Sequence, residues 1–220
     1  LFFTTKMKKL LLILLCLPLL FTTCKKEEDE PTNTGNNGLT YVPDDNFEQA
    51  LINEGLDNVL DNYVSTTSID TVTDLNVDYD NIADLTGIAD FTALRDLDCQ
   101  YNNLTSLDVS QNINLTWLNC GNNEIANLNT GSIDIATIYC HQNNITNLNL
   151  SNNHYLRVIY ADRNNLTILN LKNGNSANIV WITTFDNPNL SCILVDDPNT
   201  MGPLVFLDKD PQHYLSNSCP

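Results

Sequence analysis

One line of apolar residues and asparagines is written along the chain again and again, and that recurrence limits the fold more than any other feature. It reads Leu94, Leu97, Cys99, Asn102, Leu104 and Leu107, then Leu115, Leu118, Cys120, Asn123, Ile125 and Leu128. Ile135, Ile138, Cys140, Asn143, Ile145 and Leu148 make the next line, followed by Leu156, Ile159, Ala161, Asn164, Leu166 and Leu169. A weaker line precedes them at Val72, Leu75, Val77, Asp80, Ile82 and Leu85, and a degraded one follows at Ile179, Ile182, Thr184, Asn187 and Leu190. Starts at 72, 94, 115, 135, 156 and 179 give separations of 22, 21, 20, 21 and 23 residues. A unit of that size cannot enclose a core of its own, so successive units must stack.

Each position in the line has a physical task. Leu97-Asp98-Cys99 alternates apolar and polar, the signature of a short strand with one buried face. The equivalent Leu118-Asn119-Cys120 of the next unit lies alongside, about 4.8 Å away, and pairs its backbone. The asparagine column, from Asn102 to Asn187, falls where the chain turns out of the strand, and its amides can satisfy backbone groups there. A second apolar group, Leu107 with Val109, Leu148 with Leu150 and Leu169 with Leu171, returns along the opposite wall. About 21 residues leave no room for a long convex helix. The pattern L-x-x-L-x-(L/C)-x-x-N-x-L resembles the leucine-rich repeat. That resemblance implies a leucine-rich repeat solenoid of the α/β horseshoe class, with parallel β-strand coils, an extended convex side, an N-terminal helical cap and a disulfide-closed C-terminal cap.

Before the repeats, Lys6, Lys8 and Lys9 precede an apolar run from Leu10 to Phe21, too short to span a bilayer and suited to the core of a signal peptide. It ends in Leu20-Phe21-Thr22-Thr23-Cys24, which resembles a bacterial lipobox of the Bacteroidetes type and implies lipidation of Cys24. The following Lys25-Lys26-Glu27-Glu28-Asp29-Glu30 resembles the lipoprotein export signal of that group, which implies an outer-membrane, cell-surface location. The periplasmic face, or an ordinary cleaved signal, is the alternative. Asp29 to Gly38 contains no apolar residue and reads as a flexible linker. The expected organisation is a signal peptide at 1–23, an acidic tether at 24–38, a helical cap at 39–71, the solenoid at 72–191 and a C-terminal cap at 192–220.

The caps follow from the need to cover both open ends of a stack. Asp45 and Glu48 have capping-box spacing, Phe47, Ala50 and Leu51 share one helical face, and Gly55 supplies a stop. Leu56, Val59, Leu60, Tyr63 and Val64 are expected to continue the apolar face toward the first coil. The stretch from Tyr41 to Leu97 resembles the amino-terminal cap and first repeat of flavobacterial leucine-rich repeat surface proteins, and the stretch from Asn187 to Asp197 resembles their closing coil. With Cys16 in the signal, Cys24 lipidated and Cys99, Cys120 and Cys140 in one inward column, Cys192 and Cys219 remain, and a disulfide between them is expected. The column cysteines read as buried thiols and not as metal ligands, because adjacent rungs do not converge on a point and no histidine shares the column.

Ten Lys and Arg against 27 Asp and Glu leave a net charge of -17, which disfavours nucleic acid as a partner. Residues alternating with the buried ones should form exposed columns: Asp96, Trp117, Thr137, Val158 and Trp181; Asp98, Asn119, Tyr139, Tyr160 and Thr183; and Gln100, Gly121, His141, Asp162 and Phe185. Aromatic groups gather on the later coils, so Trp117, Tyr139, His141, Tyr160, Trp181 and Phe185 are the candidate ligand-binding residues. The alternative is that strands simply favour aromatics, leaving an envelope spacer with no specific ligand. An enzyme would have to use His141 and Asp162, yet no Ser or Cys nucleophile stands beside them, and a surface ion pair is the expected arrangement. No catalytic residue, metal site or cofactor is assigned. The expected partners are a protein, peptide or glycan, with the membrane touched through the lipid anchor alone and the protein itself a monomer. Metabolic labelling with palmitate should mark the intact protein, and Cys24→Ala should abolish the label; a variant labelled as strongly as the parent would remove the anchor.

Overall fold

The computed structural model describes residues 38–201 and 206–220. The signal run, Cys24 and the tether as far as residue 37 lie outside the described residues. The chain enters through β1 (Leu39–Tyr41), α1 (Asp45–Asn53), β2 (Tyr63–Ser65) and a single helical turn, α2 (Thr66–Ile69). Strands of three residues then follow: β3 (Asp74–Asn76), β4 (Asp96–Asp98), β5 (Ser106–Asp108), β6 (Trp117–Asn119), β7 (Asn127–Asn129), β8 (Thr137–Tyr139) and β9 (Asn147–Asn149). The remainder are β10 (Val158–Tyr160), β11 (Ile168–Asn170), β12 (Trp181–Thr183), β13 (Cys192–Leu194), β14 (Phe206–Asp208) and β15 (Tyr214–Ser216).

These strands divide between two walls. The front wall is one seven-stranded parallel ladder in the order β14-β12-β10-β8-β6-β4-β3. The back wall is split into a β5-β7 pair and a ladder β15-β13-β11-β9. In the front register Leu75, Leu97, Leu118, Ile138, Ile159 and Ile182 stand one above another, and all are buried between the walls. Leu107, Leu148, Leu169 and Ile193 do the same from the back, with Leu128 stacked on Leu107 but only partly buried. The front ladder does not stop with the last repeat line, because β14 pairs with β12 in parallel and places Phe206 in register with Trp181.

The asparagine column performs the task its position demands. Asn164 accepts from the Ile145 N–H at 3.0 Å and donates to the Cys140 carbonyl of the preceding coil at 2.9 Å and to Ala161 at 3.3 Å. Asn102, Asn123, Asn143 and Asn187 repeat that arrangement. Immediately before each of them the backbone is left-handed: Tyr101, Asn122, Gln142, Arg163 and Asp186 have φ between 52° and 56°. No glycine occupies this column, so each coil carries a turn that ordinary side chains resist by about 1–2 kcal/mol. A second buried set bridges coils near the back wall, where Asn112 donates to the Ile88 carbonyl at 2.8 Å, Asn153 to Ile133 at 2.9 Å and Asn173 to Asn153 at 2.8 Å. That set escapes the sequence reading, although Asn112 and Asn153 each stand three residues before a repeat-opening leucine.

The amino-terminal segment departs from expectation in two respects. Asp44, not Asp45, caps α1: one carboxylate oxygen accepts from Asn46 and Phe47 N–H, and the other from Ala83 and Asp84 N–H in the first coil at 2.7 and 2.9 Å. Glu48 closes no capping box; its side chain is buried and accepts from the backbone N–H of Asp61 and Tyr63 at 2.8 and 3.1 Å. The apolar face expected from Leu56 to Val64 is not continuous. Val59, Leu60 and Tyr63 are exposed, while Val64 alone is fully buried, because this stretch returns to pair β2 antiparallel with β1. Phe47, Ala50 and Leu51 do face the core, and Gly55, with φ at 73°, ends the helix.

At the other end Cys192 and Cys219 are bonded, with their Cα atoms 5.8 Å apart. Cys99, Cys120 and Cys140 are free, buried thiols, and burial pushes each well above the ordinary thiol value. Among the described residues no helix is long and apolar enough to cross a membrane. Replacing Asn164 by Ala strands a buried N–H and a buried carbonyl together and should destabilise the fold by about 3 kcal/mol in chemical denaturation. Asn144→Ala, on an exposed neighbour whose side chain bonds only the Glu124 carbonyl, should stay within about 0.5 kcal/mol.

Candidate functional site

Parallel register on the front wall decides which outward side chains meet. Tyr139 stands over Tyr160 in successive rungs, and their rings are 4.7 Å apart and inclined by 18°. Trp181 adds to that stack from the next rung, 5.9 Å from Tyr160 at 24°, while Trp117 meets Tyr139 from the other side at 5.7 Å, tilted by 55°. The result is a continuous row of four rings across four rungs, each contact contributing about 0.5–1.5 kcal/mol beyond area burial.

Beside this row runs a trough of about 510 Å³ lined by Tyr139, His141, Tyr160, Asp162, Trp181, Thr183, Phe185 and Asp208. Five of the six candidate binding residues therefore converge on one concavity, and Trp117 joins them through its contact with Tyr139. Phe185 is half-buried and carries the Arg163 guanidinium over its ring at 5.3 Å; Asp186 holds that guanidinium with a 3.8 Å ion pair.

Several outward positions are less exposed than alternation predicts. Asn119, Gly121, Asp162 and Thr183 are buried, because the larger side chains of neighbouring rungs lie over them. Gly121 is the clearest case: a Cβ added there would meet the His141 ring at 2.5 Å, so the absence of a side chain is what lets the imidazole lie flat on that rung. The ion pair expected between His141 and Asp162 is not formed. His141 shares a hydrogen bond with the Asn122 amide at 3.1 Å, and Asp162 accepts from the Thr183 hydroxyl at 2.7 Å. Burial depresses the His141 pKa; the nearby Asp162 acts against that depression and Arg163 adds to it. Burial likewise raises the Tyr160 pKa, so that phenol is neutral at pH 7.

Thr183 and Asp208 complete the trough without having been candidates. Thr183 belongs to a recognised column but not to the aromatic set. Asp208 lies on β14, whose first residue follows its register partner Trp181 by 25 residues, outside the repeat period.

No family model matches the chain. Over 72 residues it is 39% identical to internalin J of Listeria monocytogenes serotype 4b (strain F2365), a stretch covering 33% of this chain and 8% of internalin J. The functional domain of InlJ from Listeria monocytogenes, which includes a cysteine ladder, superposes on 71% of this chain and 38% of its own length with a TM-score of 0.59 at 28% identity. This is a leucine-rich repeat solenoid, similar to internalin J. An internalin C2 from the same strain aligns over 80% of this chain and 100% of its own, at 16% identity and a TM-score of 0.48. The solenoid stacks three buried cysteines of its own, Cys99, Cys120 and Cys140.

The packing of His141 on Gly121 has a measurable consequence. With its folded pKa below the ordinary 6.5, His141 binds a proton less readily in the folded state than in the unfolded chain, so it removes stability as pH falls through 6.5 toward the folded value. Gly121→Ala should displace the ring and move its titration, followed by NMR, back up toward 6.5; an unchanged midpoint would show that burial on this rung is not the cause.

Proposed function

We propose that this is a non-enzymatic, surface-anchored leucine-rich repeat lipoprotein that binds a protein or peptide through its front wall, in adhesion or nutrient capture. The observation that carries the reading is the aromatic row and the trough beside it, held on a ladder whose backbone bonds fix the side chains in position before any ligand arrives. Aromatic anchors on a preorganised scaffold are the usual energetic centre of a polypeptide interface. The Cys24 anchor and acidic tether support display at the outer membrane, with Bacteroidetes-type export as the route.

A glycan is the weaker occupant, for a geometric reason. Sugar rings pack on open aromatic faces, whereas Tyr139 and Tyr160 turn faces toward each other and Tyr160 turns its other side toward Trp181. Ring edges and phenol hydroxyls are what the middle of the row has left for a ligand, and these suit edge-to-face packing with aromatic side chains and hydrogen bonding to a peptide backbone. An enzyme built on His141 and Asp162 has little support, since the two groups are engaged with Asn122 and Thr183 and not with each other.

Display of random peptides and a glycan panel, both presented to the intact protein, separate the readings. Peptide binders are expected, and Tyr160→Ala with Trp181→Ala should weaken them at least tenfold while the melting temperature falls by only a few degrees. Binding of glycans alone, or of nothing, would overturn the proposal, and the second outcome favours the spacer.

A further inference from the structure

The trough is aromatic on its walls but acidic at its base and rim. Asp162 is 5% exposed; its Oδ1 accepts from the Thr183 hydroxyl at 2.7 Å, and its Oδ2 has no hydrogen-bond partner among the described residues. Asp208, on the last front rung, is exposed and borders the same space. Neither carboxylate belongs to an ion pair among the described residues. The nearest cations are committed elsewhere: Arg163 to Asp186 and the Phe185 face, Lys209 to the backbone carbonyls of Asp210 and His213. His141, on the adjoining rung, has a buried Nδ1 with no hydrogen-bond partner.

Asp162 thus has one oxygen committed to Thr183 and the other open to the trough, where a donor on a ligand can replace solvent. The two carboxylates repel an anion, and the rings beside them supply no charge to neutralise a second acid. Those rings do suit the stem of a long basic side chain, which covers apolar surface while its head reaches a polar group. Within this wall Arg163 already adopts such an arrangement, with its guanidinium over Phe185 and a carboxylate, Asp186, beside it.

We infer that the trough receives a lysine or arginine side chain of the polypeptide partner, its stem along Tyr139, Tyr160 and Trp181 and its charged head between Asp162 and Asp208. This rests on the reading of the front wall as the binding face, and it adds the sign of the ligand's charge. The protein as a whole carries a net charge of -17, so the specific site must be separated from general attraction.

The probes are four peptides, acetyl-Gly-Tyr-Xaa-Tyr-Gly-amide with Xaa arginine, lysine, glutamine or glutamate, titrated against the protein by NMR and tryptophan fluorescence. The arginine and lysine peptides should bind about tenfold more tightly than the glutamine peptide, and the glutamate peptide least of all. Asp162→Asn, which keeps an oxygen for Thr183, combined with Asp208→Asn should erase that advantage; Asp134→Asn, outside the trough, should preserve it. An advantage that survives the double substitution, or its absence in the parent, overturns the inference. If all four peptides then bind equally and lose binding in Trp181→Ala, the front wall is still the binding face and only the charge assignment fails. If no peptide shifts a front-wall resonance, both fail.

Discussion

The fold depends on a side-chain amide that does backbone work. Between one coil and the next, the chain must leave the front strand through a left-handed residue, and the carbonyls and N–H groups around that turn point into a closed interior where no water can reach them. In five successive coils an asparagine supplies the missing donor and acceptor, as Asn164 does for Cys140 and Ile145. Leucine at the same place would fill the space and leave two polar groups unpaired, which is why the column stays polar inside an otherwise apolar core.

From that turn follow the rung spacing and the register, and from the register follows the character of the front wall. Parallel strands about 4.8 Å apart bring equivalent side chains to ring-stacking distance. Tyr139 and Tyr160 at 4.7 Å are a direct result. The same regularity that gathers the rings also spends their faces on one another, so the wall recognises through edges, hydroxyls and the trough beside them. Gly121 shows how finely the outer surface depends on its neighbours: an absent side chain on one rung is the floor on which the next rung's histidine lies.

Much of this was legible in the sequence because every interior position serves the same role in each coil. Leu97, Leu118 and Ile138 announce a buried ladder by recurrence alone, and Cys192 and Cys219 were left for each other once the remaining cysteines had been placed. What stayed hidden did not recur. The left-handed column holds Tyr101, Asn122, Gln142, Arg163 and Asp186, residues with no shared chemistry, so nothing in composition marks it. Asp44 and Asp45 are adjacent and chemically alike, and only the entry angle of the chain decides which of them caps the helix. The rung at Phe206 to Asp208 lies beyond an irregular spacing, and with it one side of the trough was out of sight. Burial of Asn119 and Thr183 likewise depends on how large the side chains on adjacent rungs happen to be, which alternation along a single strand does not register.

The bond between Cys192 and Cys219 matters for the order in which such a molecule can come apart. In a linear array each coil is held only by its neighbours, so loss of structure starts most readily at a terminus and travels inward. Here the outermost back-wall strand, Tyr214 to Ser216, lies inside a covalent loop closed onto the strand it pairs with, Cys192 to Leu194. Fraying from the carboxyl end is thereby checked for as long as the surroundings stay oxidising, and the unzipping of the stack is left to begin at the helix end, where the chain is held by non-covalent contacts alone.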